Sequence, residues 1–128
     1  MKLLLDTHTL LWWASHSSRL SATAREAILS EQNEVYVSIV NAWEMQIKAQ
    51  LGKLDVRTPI SSLLQEQREQ NGFQILLVTL QHVDALERLP MEHRDPFDRL
   101  LLAQTISEDM HIVSHDRRFP EYPVRVVW

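Results

Sequence analysis

Leu3-Leu4-Leu5-Asp6-Thr7-His8-Thr9-Leu10-Leu11-Trp12 sets a short apolar run against an acid and a hydroxyl, then resumes with apolar residues. A continuous apolar run of this length fits a strand buried on both faces. The polar pair that closes it marks the handover to a helix over about 9–14. A strand that feeds a helix in this way is the opening unit of an α/β fold, and the rest of the chain repeats the alternation.

After a loop at 15–18, Ser21 or Thr23 is placed to cap a second helix, with Thr23 and Glu26 at capping-box spacing. Residues 35–39, Val-Tyr-Val-Ser-Ile, are rich in β-branched and aromatic side chains and predict the second strand. A helix follows from Asn41 to Gly52, where a left-handed cap can end it. Thr58-Pro59 predicts the next helix start, with Thr58 as N-cap and Pro59 at the first helical position, running to Asn71-Gly72. A strand is expected over 73–78, and a short helix opening at Thr79 or Gln81 and reaching Leu89. Asp95-Pro96 starts a long helix through Glu108, and strands follow over 111–114 and 124–127. The expected architecture is a single α/β domain over 1–128, a mostly parallel central sheet flanked by helices on both faces. No repeat or linker divides it.

Composition narrows the function classes. With 128 residues, 45% hydrophobic and 23% charged, the chain has the size and balance of one folded domain. The absence of cysteine removes disulfides, thiolate zinc sites and thiol nucleophiles. Three leucines before Asp6 are too few for a signal-peptide core, and no apolar run approaches membrane-spanning length, so a soluble, cytoplasmic protein is expected. A formal charge of -4 excludes a broad basic surface; any site for a polyanion must be local.

Four acids stand out by position. Asp6 follows the first strand, Asp116 follows the strand near Val113, Glu44 lies one turn into the helix after the second strand, and Asp98 lies in the first turn of the late helix. In open α/β sheets ligands bind beyond the carboxyl ends of the strands. Carboxylates gathered there repel one another unless a cation shares them or some take up protons, and such a group suits a hard divalent ion. Each acid also has an ordinary reading: Asp6 as a helix cap, Glu44 and Asp98 as solvated residues at positive helix ends, Asp116 as a turn acid. Asp95 is explained by its place before Pro96, as a structural or supporting residue.

Four stretches together resemble a known family. They are 3–12 as quoted above; Val37-Ser38-Ile39-Val40-Asn41-Ala42-Trp43-Glu44; His93-Arg94-Asp95-Pro96-Phe97-Asp98-Arg99-Leu100-Leu101-Leu102-Ala103-Gln104; and Val113-Ser114-His115-Asp116-Arg117-Arg118-Phe119. In order and spacing they are similar to the PIN-domain ribonucleases, in particular the VapC-like toxins of toxin-antitoxin pairs. The resemblance implies a PIN-like α/β fold and a metal-dependent endoribonuclease that uses Mg²⁺ or Mn²⁺ to leave 5′-phosphate and 3′-hydroxyl ends. It also implies a homodimer and a cognate antitoxin partner, and no membrane. Carried over by position, Asp6, Glu44 and Asp98 match the family's three central acids and Asp116 its more variable fourth, all four as catalytic metal ligands. Thr7 and Ser114 match supporting hydroxyls, and Asn41 departs from the small hydroxyl residue common at its place. The chemistry suits the residues: Mg²⁺ keeps several waters and needs only a few carboxylates, and it lowers the pKa of water and offsets phosphate charge.

RNA then has to approach an acidic centre, so local cations matter. Lys48, Lys53, Arg94, Arg99, Arg117 and Arg118 are candidates for a phosphate-binding rim, with Arg99 equally placed to pair with Asp95. His8 and His93 sit beside motif residues. Trp12, Trp13 and Trp43 are expected in the core or a subunit interface rather than against RNA, although Trp12 and Trp13 point about 100° apart and one of them can reach a groove. Trp128 has no assignment. The alternative function is a PIN module that binds RNA or a partner protein without hydrolysis. With only Gly52 and Gly72, a Gly-rich phosphate loop is excluded, and neither a receiver-domain acidic pair nor a Gly-x-Ser-x-Gly elbow occurs.

Overall fold

Leu3, Leu4 and Leu5 are fully buried because strand β1 (Lys2–Leu5) runs through the centre of the sheet and sends successive side chains to opposite faces. Leu3 and Leu5 enter one apolar cluster and Leu4 the other. The computed structural model describes residues 1–91 and 95–128. In chain order these form β1, helix α1 (Thr7–Ala14), α2 (Ala22–Leu29), β2 (Glu34–Ser38), α3 (Ile39–Gln50), α4 (Ile60–Asn71) and β3 (Gln74–Leu76). There follow α5 (Leu80–Ala85), a 3₁₀ turn (Leu86–Arg88), α6 (Pro96–Ser107), β4 (His111–Val113), a second 3₁₀ turn (Phe119–Glu121) and β5 (Arg125–Val127).

All four strand pairings are parallel, in the order β3-β2-β1-β4-β5, with Leu4 beside Tyr36 on one side and Ile112 on the other. The expected mostly parallel sheet is therefore parallel throughout the described residues. The chain first builds leftward from β1 through β2 to β3, then returns to the other side for β4 and β5. That reversal beside β1 is a topological switch point, and the crevice beyond the strand ends there is where such folds bind ligands.

Several boundaries differ from the sequence reading for identifiable reasons. Ile39 is helical, because the Ser38 hydroxyl caps α3 by accepting from Val40 N. Helix α1 starts at Thr7, since Asp6 itself is the N-cap. Ser21, not Thr23, caps α2. Pro59 takes the N-cap position of α4 with extended backbone and no side-chain cap, leaving Thr58 outside. Strand β3 is only three residues long, with Phe73 buried before it and Leu77 exposed after it. Gly72 ends α4 in the left-handed conformation at φ 69°, which disfavours any side chain there. Trp43 is 48% exposed, edge-on to Phe97 at 4.6 Å, so it is not a core residue of this chain. Among the described residues no helix is long and apolar enough to cross a membrane.

Candidate active site

Asp6 leaves β1 at the switch point and caps α1, its Oδ1 accepting from Thr9 N at 2.8 Å. Its Oδ2 accepts from the Ser114 hydroxyl, which arrives at the end of neighbouring β4. Ser114 Oγ accepts in turn from Asp116 N at 3.0 Å, and Thr9 Oγ1 donates to Val113 O at 2.8 Å. The ends of β1 and β4 are thus tied together around one carboxylate. Burial pushes the Asp6 carboxyl above its ordinary value, against the opposing pull of the hydrogen bonds from Ser114 and Thr9. Each Asp6 oxygen has one of these protein donors and retains acceptor capacity for a cation.

Glu44 reaches the same place from α3. It is 4% exposed; its Oε1 accepts from Thr7 Oγ1 at 2.6 Å, and its Oε2 is paired with Lys48, one turn further along the helix. Thr7 Oγ1 is itself held by Asn41, whose Nδ2 donates to it at 3.1 Å and to Leu5 O at 3.2 Å. Asn41 Oδ1 accepts from Ser38 N at 2.7 Å, and Ser38 Oγ donates to Gln104 Oε1 at 2.6 Å. Gln104 Nε2 continues to His82 Nδ1 at 3.3 Å, and His82 Nε2 to Glu108 Oε1 at 2.9 Å. A line of buried side chains from α5 and α6 therefore ends on Glu44. Asn41 supplies both a donor and an acceptor to this line.

Asp98 and Asp116 approach from the other side. Asp95 caps α6, accepting from Phe97 N at 2.9 Å and Asp98 N at 3.1 Å, which fixes Asp98 in the first turn. Asp116 Oδ1 accepts from Arg118 N at 2.9 Å, a turn contact, and Arg118 Nη2 lies 2.7 Å from Asp116 Oδ2 and 3.6 Å from Asp98 Oδ2. This contact with Asp116 raises the already basic guanidinium further, with Asp98 adding to the effect.

All four acids line one cleft of about 230 Å³, together with Thr7, Asp95, Lys48 and Arg118. His8, Trp12 and His115 complete the lining. The cleft has room for several waters, as a divalent ion that retains part of its hydration needs. The donor set is all oxygen, which suits Mg²⁺ or Mn²⁺ and offers no soft ligand. Among the described residues no three His, Asp or Glu side chains are drawn into a closed ligand group. Lys48 pairs with Glu44, and Arg118 with Asp116 and Asp98, so part of the acids' charge is already offset.

The remaining candidates are dispersed. Arg117 is exposed beside Asp116, outside the cleft lining. Arg99 turns back along the chain, its guanidinium donating to Pro90 O at 2.6 Å, and it does not line the cleft. Lys53 is exposed after α3. His93 and Arg94 lie outside the described residues. Trp12, expected in the core or a subunit interface, is half-buried and lines the cleft, and His115, which carried no expectation, joins it. An exposed ring next to Asp116 was the available signal for His115.

Comparison with known proteins bears on the family and the fold. Residues 3–124 fit the sequence profile of the PIN domain. The chain is 30% identical over 116 residues to Ribonuclease VapC22 of Mycobacterium tuberculosis, an overlap covering 90% of this chain and 87% of that protein. Among solved structures it is similar to VapBC2 from Rickettsia felis bound to a DNA fragment from their promoter, with a TM-score of 0.74, 16% identity and 98% and 97% of the two chains covered. It is also similar to DNA-bound VapBC from Salmonella typhimurium, with a TM-score of 0.69, 18% identity and 98% and 96% covered. From β1 to the residue before β5, in sequence profile and in fold, the chain belongs to the PIN domain family.

Proposed function

We propose that this protein is a metal-dependent endoribonuclease and the toxin of a toxin-antitoxin pair, in which Asp6, Glu44 and Asp98 hold Mg²⁺ or Mn²⁺ and Asp116 completes the set. The observation that carries the hydrolytic reading is the convergence of these four carboxylates on one cleft at the switch point of the sheet. The name of the mycobacterial relative supports ribonuclease activity, and the two toxin-antitoxin assemblies with the same fold support an antitoxin partner.

When bound, the metal supplies a Lewis acid that lowers the pKa of an attacking water and offsets charge on the phosphate. The protein's own contribution is positional. Ser114 and Thr9 hold the Asp6 carboxylate, Thr7 holds that of Glu44, and the Asp95 cap sets the first turn that carries Asp98. Lys48 and Arg118 neutralise Glu44 and Asp116 in the free protein, and both would be available to an RNA phosphate if those acids held a metal. Arg117 adds positive charge outside the cleft. A cytoplasmic homodimer acting on single-stranded or loop RNA completes the reading.

Purified protein with Mg²⁺ or Mn²⁺ should cut RNA, lose activity with a chelator, and lose it as folded Asp98→Asn. Full activity in folded Asp98→Asn would defeat the proposal. The alternative of a non-hydrolytic binding module draws on the ion pairs Lys48–Glu44 and Arg118–Asp116, which already offset two of the four acids. Tight RNA or protein binding with no Mn²⁺ uptake would favour it.

A further inference from the structure

Part of the cleft lining is aromatic. Trp12 is its hub, with ring centroids 5.7 Å from His8, 6.1 Å from His115 and 5.8 Å from Trp128, and His115 lies 5.3 Å from Trp128. These separations are those of interacting rings. Three elements bring them together: α1 supplies His8 and Trp12, the segment after β4 supplies His115, and the segment after β5 supplies Trp128. His8, Trp12 and His115 line the same cleft as the four acids, and both imidazoles are exposed. The one cleft thus combines carboxylate oxygens, the cations Lys48 and Arg118, and a group of aromatic rings with half-buried Trp12 at its centre.

A nucleotide has both complements, an anionic phosphate and a flat base. We infer that His8, Trp12 and His115 form a stacking wall for the base of the nucleotide next to the scissile phosphate, so that the cleft selects unpaired RNA. This rests on the proposed RNA hydrolysis. The selection follows from geometry. A base inside an A-form duplex is already stacked on both faces and cannot offer one to the wall, whereas a base in a loop or single strand can. Stacking accepts every base because each has a π-face, so the wall reads pairing state and not sequence.

The test is cleavage of end-labelled single-stranded RNAs in which one abasic nucleotide is moved stepwise through the cut site. In the wild type, one abasic position beside the cut should raise KM about tenfold, the size of one lost base-aromatic stack, while exchanging the four bases there changes it little. Trp12→Leu should show the same loss on intact RNA, mainly in KM, with no further penalty from the abasic position, and Trp12→Phe should recover most of it. His8→Ala and His115→Ala, at exposed rings, should each raise KM severalfold and decide the matter if Trp12→Leu does not fold. Wild-type KM unmoved by an abasic nucleotide at every position, or unmoved by both His substitutions, overturns the stacking wall while leaving RNA hydrolysis standing. A wild type that cuts none of these RNAs overturns the hydrolytic reading and the wall together.

Discussion

Asp6 and Glu44 at the floor of the cleft are 7% and 4% exposed, and each accepts a hydrogen bond from a buried hydroxyl. Asp98 and Asp116 at the rim keep 17% and 22% of their side chains in solvent and share the mostly exposed Arg118. The floor pair is tied into the sheet: Ser114 joins it to β4, and Asn41 and Ser38 join it to β2 and α6. The rim pair depends on a helix cap and a turn. Burying a carboxylate costs stability that only hydrogen bonds and a cation offset, so the floor carries that cost continuously while the rim adjusts to what binds. The difference teaches that four acids in one site need not be equal. On the proposed function, the floor acids are the fixed ligands and the rim acids the adjustable ones.

This contrast sets an order of effects. Asp6→Asn should have the largest, lowering RNA cleavage by roughly a thousandfold or more, the scale of several kcal/mol of lost metal-assisted stabilisation, with the folded circular dichroism spectrum kept. Next, Thr7→Val should lower activity by about 10- to 100-fold, as expected for a residue that orients a ligand, and cost about 1–3 kcal/mol in urea unfolding because it strips the buried Glu44 and Asn41 of their partner. At the rim, Asp116→Asn should reduce cleavage only about tenfold, roughly 1.4 kcal/mol. An Asp116→Asn effect as large as that of Asp6→Asn would erase the distinction between these two acids. Arg118→Ala should weaken RNA binding and flatten its dependence on log salt by about one unit, the signature of one lost phosphate contact.

A pH comparison sharpens the floor further. Burial raises the Asp6 carboxyl, so the folded metal-free protein holds that proton more tightly than the unfolded chain does. The associated stability is fully present below the ordinary aspartate range and is lost as pH rises through the raised folded value. Urea unfolding of the metal-free protein should therefore show Asp6→Asn gaining stability relative to wild type as pH increases. Mn²⁺ should release a proton on binding in the pH range where Asp6 is still protonated.

Much of the fold was legible because local signals agreed with one another. The apolar run at Leu3–Leu5, the β-branched run at 35–37, Asp95-Pro96 and Gly72 each specify an element by sterics or capping alone. Ile39 misled because its β-branched side chain argued for a strand while the Ser38 cap, one residue earlier, decided for a helix. The four acids were legible from their positions at strand and helix ends. The supporting shell was less so. Asn41 departed from a type pattern, and only three dimensions show that its amide reaches both Thr7 and Ser38. Trp12 was legible as an aromatic on a helix but not as a cleft wall, because His115 and Trp128 come from the other end of the chain to meet it.

The most direct test of a metal site built on the floor acids is Mn²⁺ titration of the purified protein followed by electron paramagnetic resonance, comparing wild type with Asp6→Asn. The expected result is saturable binding by wild type that weakens at least tenfold in folded Asp6→Asn. Equal Mn²⁺ affinity in the two proteins would contradict it.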